Sequence, residues 1–267
     1  MKYCIRKTIM ASAAAAALLA IVGCETTAPA PAVPRIAPDF DYTPVEVATG
    51  DVDITLAVVG SSVETTVPVF KDFAKNMAQD FLELLSAIGY RTRGPYVSYD
   101  EMTFPDKEAS DLILSADYDF DHDTLSLTAT EAPTLASAIR DLGVILGTRS
   151  SASSSTPRNC TYSGPITVAS RVTLVLYESL SRERMWTKSL NLEPIEATLE
   201  GTYAFPCEAP PSLAQILVEE DQFYTDLGKQ MEAQYQDALR TTHAHLDPRE
   251  VARISKQADP LRERKRY

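Results

Sequence analysis

The two longest β-type runs of the chain constrain its fold most. Residues 166–176 and 185–192 are apolar and rich in β-branched side chains, and a polar segment, 178–184, separates them. Side chains of this kind favour strands, so the pattern predicts an antiparallel hairpin. A chain of 267 residues can bury one good core around that hairpin, or at most two small ones.

Other periodic segments place strands and helices around the hairpin. Alternating apolar residues predict strands at 52–58 and 112–120, and further strands are expected at 90–96, where Gly94-Pro95 interrupts the strand, and at 195–203. Three- and four-residue spacing predicts helices at 70–88, 132–146 and 213–239. Ser98 and Glu101 have the spacing of a capping box that opens a short helix, and Asp247 before Pro248 is typical of a helix start. The order predicts an α+β fold: one mixed, mainly antiparallel sheet with helices packed on one face and a long C-terminal helix.

The N-terminus predicts export and a lipid anchor. Residues 1–23 combine a positively charged start with a short apolar stretch, as in a secretory signal peptide. The stretch runs into IVGC at 21–24, the pattern at which bacterial lipoproteins are cleaved and acylated, so Cys24 is the predicted lipid attachment site. Palmitate-type chains anchor firmly, because each buried CH₂ contributes roughly 0.8 kcal/mol. Glu25, in place of aspartate, favours the outer membrane; the alternative is an ordinary secretory signal with a chance cysteine.

Two cysteines remain once Cys4 leaves with the signal and Cys24 carries lipid. An even pair in an oxidising compartment predicts a disulfide between Cys160 and Cys207. Restricting the unfolded chain in this way contributes roughly 4 kcal/mol. The alternative is two buried free thiols.

The predicted organisation has four parts. After the signal peptide, 1–23, the prolines of 24–50 predict a lipidated tether that holds the protein away from the bilayer. An α+β domain follows over 51–246, with an insertion at 130–160 that ends in a Gly/Ser/Thr-rich loop. Residues 247–267 are predicted to form a terminal helix and a basic tail.

Charge and motifs argue against several functions. The formal net charge is −12, and removal of 1–23 with its three positive side chains lowers it to −15, which disfavours nucleic-acid binding. No GxSxG, HExxH or Walker sequence is present. His243 and His245 are two residues apart and do not share a helix face. The sequence therefore predicts no enzyme, no catalytic residue and no cofactor.

Four aspartates occupy the odd positions of 117–123 and resemble the start of a calcium loop. Such a loop next needs glycine and glutamate, where this chain has His122 and Thr128. We therefore predict that Tyr118 and Phe120 face inward, that the aspartates face solvent, and that no metal is bound.

One basic cluster stands out in this acidic chain: Arg262, Arg264, Lys265 and Arg266. It is a candidate contact for an anionic envelope polymer, phosphate head groups or a partner. The alternative is a solvated end held loosely against the acidic body. Because exposed charges are screened by salt, either case predicts that deleting 261–267 barely changes the melting temperature.

The layout resembles the neuraminyllactose-binding hemagglutinin (HpaA-like) lipoproteins. The shared sequence features are the lipoprotein cleavage pattern IVGC at 21–24 and DYTP at 41–44. The shared elements are a strand and helix at 54–90 ending in IGYR, a strand at 111–120, the hairpin 172–192, a long helix at 221–246 and a final helix with a basic end. The resemblance implies an outer-membrane or surface lipoprotein that acts as an adhesin and binds sialylated glycans. This chain lacks the lysine-rich run of the family, since 120–159 contains only Arg140, Arg149 and Arg158. Sialic acid is anionic and the chain is strongly acidic, so sialoside binding is not carried over and no glycan-binding residue is assigned.

The layout is also similar to periplasmic lipoproteins that activate penicillin-binding proteins and to the N-terminal domain of TolB. That likeness implies an alternative, a periplasmic adaptor that crosses the periplasm on a long tether and binds a cell-wall synthase or envelope complex. The main prediction is a non-enzymatic, outer-membrane-anchored lipoprotein that acts by surface binding, adhesin-like. Its predicted partners are the membrane, through the lipid anchor, and a protein or glycan ligand, but no nucleic acid.

Overall fold

The sheet is built around one strand of 20 residues. The computed structural model describes residues 35–42, 52–60, 63, 65–123, 126–131, 159–200 and 204–265. The strands are β1 (Val52–Val59), β2 (Tyr90–Tyr96), β3 (Leu112–Asp123), β4 (Thr128–Glu131), β5 (Asn159–Glu178), β6 (Arg184–Asn191), β7 (Ile195–Leu199) and β8 (Ala204–Pro206). The helices are α1 (Pro68–Ile88), α2 (Phe104–Glu108), α3 (Leu213–Glu219), α4 (Asp221–His245) and α5 (Pro248–Lys265). No helix in this part of the chain is long and apolar enough to cross a membrane.

The long strand β5 organises the pairing. It pairs antiparallel with β3 and β4 along one edge and with β6, β7 and β8 along the other. On its other side, β3 pairs in parallel with β1, and β1 pairs in parallel with β2, which gives the order β2-β1-β3-β5. The sheet is mixed and mainly antiparallel, as predicted, and the predicted hairpin is β5–β6.

One face of the sheet carries the main core. Helix α1 buries a stripe of apolar side chains at helical spacing, including Phe70, Phe73, Met77 and Phe81. This stripe packs in one cluster with β1, β3 and the apolar sides of α4 and α5, so helices cover this face as predicted. Each such large side chain contributes roughly 1.5–3 kcal/mol when fully buried.

The opposite face is largely polar. The aspartates of 117–123 are exposed, whereas Tyr118 and Phe120 pack against the main core, with Phe120 stacked on Phe70 at a ring separation of 4.4 Å. The predicted orientation of this strand is confirmed. A small cluster of Ala57, Val59, Met102 and Ile113 provides the apolar part of this face.

Two local predictions differ from the structure. The helix predicted over 213–239 is two helices that meet at Glu220, whose extended backbone (φ −111°, ψ 90°) separates them. Ser98 makes no capping hydrogen bond and precedes only a 3₁₀ turn; Thr103 instead caps α2, accepting from the backbone N–H of Asp106. The predicted helix 132–146 and almost all of the loop 147–159 lie outside the described residues.

Residues 35–42, here called the strap, correct the predicted extent of the tether. Phe40 is 5% exposed and lies against the rings of Phe73 and Tyr235, at 5.4 and 5.2 Å. Along α4, the backbone N–H of Ile36 donates to Thr225, and a Cβ on Gly228 would lie 3.3 Å from Pro38. The strap belongs to the folded domain and is not free spacer.

A disulfide joins Cys160 on β5 to Cys207 just after β8, with a Cα–Cα distance of 5.0 Å. This is the pairing predicted from the sequence. It links the beginning of the central strand to the segment that leads into α3, near Tyr162, whose hydroxyl lies 3.2 Å from the carbonyl of Pro206.

Candidate functional site

The carboxyl ends of β1 and β2 lie side by side, and the chain leaves them toward opposite faces of the sheet. β1 leads to α1 on the face of Leu56 and Val58, whereas β2 leads to the turn at Tyr99 on the face of Ala57 and Val59. In sheets with parallel strands, ligands bind at such points because the diverging connections leave a crevice. Two cavities lie here and share Gly60 and Val97.

The larger cavity, here called the lysine groove, has a volume of about 570 Å³. Helix α1 forms one wall with Lys71, Lys75 and Gln79, and the end of β2 forms the other with Pro95 and Tyr96. Val97 stands at the rim and is 74% exposed. The groove therefore offers an apolar floor with two ammonium groups on one side.

The β2 wall depends on Gly94. Its φ of 105° is unfavourable for other residues, and a Cβ there would lie 2.6 Å from the carbonyl oxygen of Val58. The next wall residue, Tyr96, has a raised phenol pKa, mainly because it is partly buried and also because it hydrogen-bonds the carboxylate of Asp106. The close approach of Gly94 to the backbone of β1 therefore fixes the position of this side of the groove.

The charge of the lysine groove is not neutralised within the described part of the chain. Lys71 and Lys75 are four residues apart on α1, both are exposed, and the described residues that line the groove include no carboxylate. No ion pair between described residues involves either lysine. Like charges at this spacing cost a helix roughly 0.2–0.5 kcal/mol, a cost that a bound anion would remove.

The smaller cavity, here called the tyrosine pocket, has a volume of about 240 Å³ on the opposite face. Tyr99 forms its wall, with its hydroxyl 3.0 Å from the carbonyl of Ser179 and with Lys107 Nζ 3.9 Å from its ring centroid. Burial raises the pKa of the Tyr99 phenol, and the negative charge of Glu178 adds to this effect. Asp117 and Arg182 complete the lining. The pocket has hydrogen-bonding groups but is too small for more than a minor part of a ligand.

The basic cluster is not a uniform free surface. Arg262 has a side chain only 13% exposed, and it contacts Asp111 at 2.7 Å and the fully buried Glu178 at 3.7 Å. It also donates to the carbonyls of Glu108 and Ser110. Arg262 is therefore a structural cation, which corrects its assignment as a surface contact. Its contacts also argue against the expectation that deleting 261–267 barely changes the melting temperature.

Of the other residues of the predicted basic cluster, only Arg264 has a described side chain. Arg264 is exposed and donates to the carbonyl of Pro260 in its own helix, which leaves its guanidinium at the surface. The side chain of Lys265, Arg266 and the predicted lipid site Cys24 lie outside the described residues. In the described ranges, no group of three or more His, Cys, Asp or Glu residues is arranged to hold a metal ion.

Sequence reasoning missed the lysine groove. Lys71 and Lys75 are two charged positions on a correctly predicted amphipathic helix, and nothing in their spacing distinguishes them from any solvated helix face. The groove depends on where the end of β2 lies relative to α1, which is a long-range property. The exposure of Val97, an apolar residue just after the strand, becomes visible only in the structure.

Comparison with known proteins supports the fold. No protein-family model and no curated protein matches this chain. The crystal structure of a neuraminyllactose-binding hemagglutinin homolog from Helicobacter pylori is similar, with a TM-score of 0.54 and 14% identity. The match covers 84% of this chain and 100% of that one, so it spans nearly the whole architecture. At this identity, the likeness shows a shared fold.

Proposed function

We propose that the chain is an outer-membrane-anchored lipoprotein that acts by binding a ligand at its surface, as an adhesin does. The observation that carries this proposal is the lysine groove, a positive site that no described carboxylate compensates, at the carboxyl ends of the parallel strands in a strongly acidic chain. The fold shared with a hemagglutinin homolog supports a binding role. A ligand with a carboxylate or similar anionic group next to an apolar part fits the groove.

The strap favours this function over a periplasmic adaptor. If Cys24 carries lipid, only ten residues, 25–34, lie between the anchor and Arg35, where the strap begins. A spacer of that length reaches at most roughly 40 Å even when fully extended. The folded domain would then stay near the membrane that holds it, whereas an adaptor of the kind considered above uses a long tether to cross the periplasm.

Exposure of the domain on intact cells tests the location. We expect added protease to degrade the wild-type protein on unbroken cells, and Cys24→Ser to abolish acylation and membrane attachment. Cys4→Ser, a change within the signal that leaves IVGC intact, is the matched control and should behave as wild type. Protection until the outer membrane is permeabilised would instead support the adaptor, and a wild-type protein without acyl chains by mass spectrometry would overturn the anchor.

Ligand binding tests the groove. We expect neuraminyllactose, which carries a carboxylate, to bind more tightly than neutral lactose, and its affinity to fall as salt rises. Lys71→Gln combined with Lys75→Gln removes both ammonium groups and should weaken binding at least about tenfold. Lys229→Gln combined with Lys256→Gln removes the same charge from α4 and α5 and should leave binding unchanged. Equal affinity for the two sugars in calorimetry would contradict an anion-binding groove.

A further inference from the structure

A second recess lies along β7, away from the lysine groove, and its charge is opposite. Two adjoining cavities of about 630 and 710 Å³ lie between β7 and α4 and share Glu196 and Gln230. Together they follow most of the length of β7. This recess, here called the acidic cleft, takes no part in the function proposed above.

Carboxylates predominate in the lining of the acidic cleft. Around Glu196, the lining includes Glu193, Glu200, Asp226 and Asp237 against a single ammonium group, Lys229. These five carboxylate residues are exposed at the surface. A cationic ligand would therefore experience a negative potential along the whole cleft.

A buried acceptor in the same lining also lacks a partner. Gln234 is 7% exposed, and its side-chain Nε2 donates to the backbone carbonyl of Glu193. Its Oε1 has no hydrogen-bond partner among the described residues. The Glu193 carbonyl is itself an acceptor, so it cannot serve as a partner for Oε1. Buried acceptors are nearly always paired, so this atom indicates a donor that the described residues do not supply.

The sheet edge beside the cleft is open. β7 pairs with β5 along one edge, through residues 164–168, and no strand in the described part of the chain pairs with its other edge. Ile195, Ala197 and Leu199 face the core, so β7 is held firmly in place. An edge strand beside a helix is a common docking site for an extended peptide, which adds to the sheet through its backbone.

We propose that the acidic cleft binds an extended, lysine- or arginine-rich peptide segment as an added strand on β7. The backbone of the peptide pairs with the open edge, its cationic side chains meet Glu193, Glu196 and Asp237, and one of its N–H donors reaches Gln234 Oε1. The carboxylates of the cleft select cationic side chains, and the open edge of β7 selects an extended backbone.

The test uses the purified mature domain and a short fluorescent peptide that alternates lysine with valine. We expect its anisotropy to report saturable binding that weakens as salt rises, and the same peptide with glutamate in place of lysine to show none. Glu196→Lys should weaken binding at least about tenfold. Asp259→Lys, the same charge change at an exposed position of α5, should change it less than about twofold. Equal weakening by the two variants would overturn the cleft and indicate a general attraction to the acidic body.

Two further measurements test the geometry. A peptide N-methylated at alternate amides keeps its charge but cannot form a strand ladder, and we expect at least about a tenfold loss of affinity. Gln234→Met removes the unpaired acceptor at nearly constant volume, together with the donor to the Glu193 carbonyl, and should weaken binding about threefold or more, with a cooperative melting transition as evidence of folding. Undiminished binding of the methylated peptide would overturn strand addition, and an unchanged affinity of Gln234→Met would overturn the contact with Oε1.

Discussion

Arg262→Ala should lower the free energy of unfolding by roughly 4 kcal/mol, because removing one member of a buried ion pair leaves the other uncompensated. The guanidinium lies between Asp111 and the fully buried Glu178, so its loss leaves Glu178 with the backbone N–H groups of Leu180 and Ser181 as donors but without its cation. Two backbone carbonyls, of Glu108 and Ser110, lose a donor as well. Urea unfolding followed by circular dichroism measures the difference.

Arg264→Ala is the matched control for this prediction. It removes the same side chain two residues later on the same helix, from a position that faces solvent. Its effect should stay within about 0.5 kcal/mol, as for most surface substitutions. If the two variants were equally stable, the ion pairs of Arg262 would be of the weak, solvent-screened kind, and the original prediction of a dispensable tail would stand.

Local pattern was sufficient to predict most of the elements. The alternation of 112–120 could be read directly because a strand places successive side chains on opposite faces, and the same holds for the hairpin β5–β6. Helix α1 ends at Gly89, whose φ of 104° forms a left-handed cap that glycine adopts readily, so the end of this helix is also encoded locally. The disulfide followed from the cysteine count and the expected compartment. In each case the information lies within a few residues or in the composition.

Long-range contacts account for what the sequence did not predict. Arg262 and Asp111 are 151 residues apart, and the strap meets α4 across more than 180 residues. The proline-rich composition of this segment predicts a tether. Composition alone does not show that one short part of it, around Phe40, packs into the apolar core. The lysine groove and the acidic cleft also depend on how α1 and α4 lie against the sheet. Such surfaces require the tertiary structure.

The seat of the strap contains a buried carboxyl group, Asp80, which is 4% exposed. Burial raises its pKa from 3.8 to about 6, and the nearby charges of Glu83 and Asp41 act in the same direction. The Tyr235 hydroxyl, which donates to it at 2.5 Å, and the backbone N–H of Tyr42 oppose the shift only in part. Asp80, on α1, is thus hydrogen-bonded to both α4 and the strap. Its raised pKa means that the folded state binds the proton of this carboxyl group more tightly than the unfolded state does.

Asp80→Asn should therefore stabilise the protein at neutral pH and not at acid pH. Between pH 3.8 and about 6, the native state keeps a proton that the unfolded state has lost, so wild-type stability falls as pH rises through this window. The gap corresponds to roughly 3 kcal/mol, all of it lost above the folded pKa. Asparagine keeps a carbonyl acceptor for Tyr235 and carries no charge, so the variant should avoid most of this loss.

Urea unfolding at about pH 4 and about pH 7.5 measures the effect. We expect wild type and Asp80→Asn to be within about 1 kcal/mol of each other at the lower pH, and the variant to be more stable by about 2–3 kcal/mol at the higher one. Asp72→Asn, on the exposed face of the same helix, should differ from wild type by less than about 0.5 kcal/mol at both. A variant less stable than wild type at both values would mean that the Asp80 carboxylate stabilises the strap in its charged form, with its hydrogen bonds to Tyr235 and Tyr42 outweighing the cost of burial.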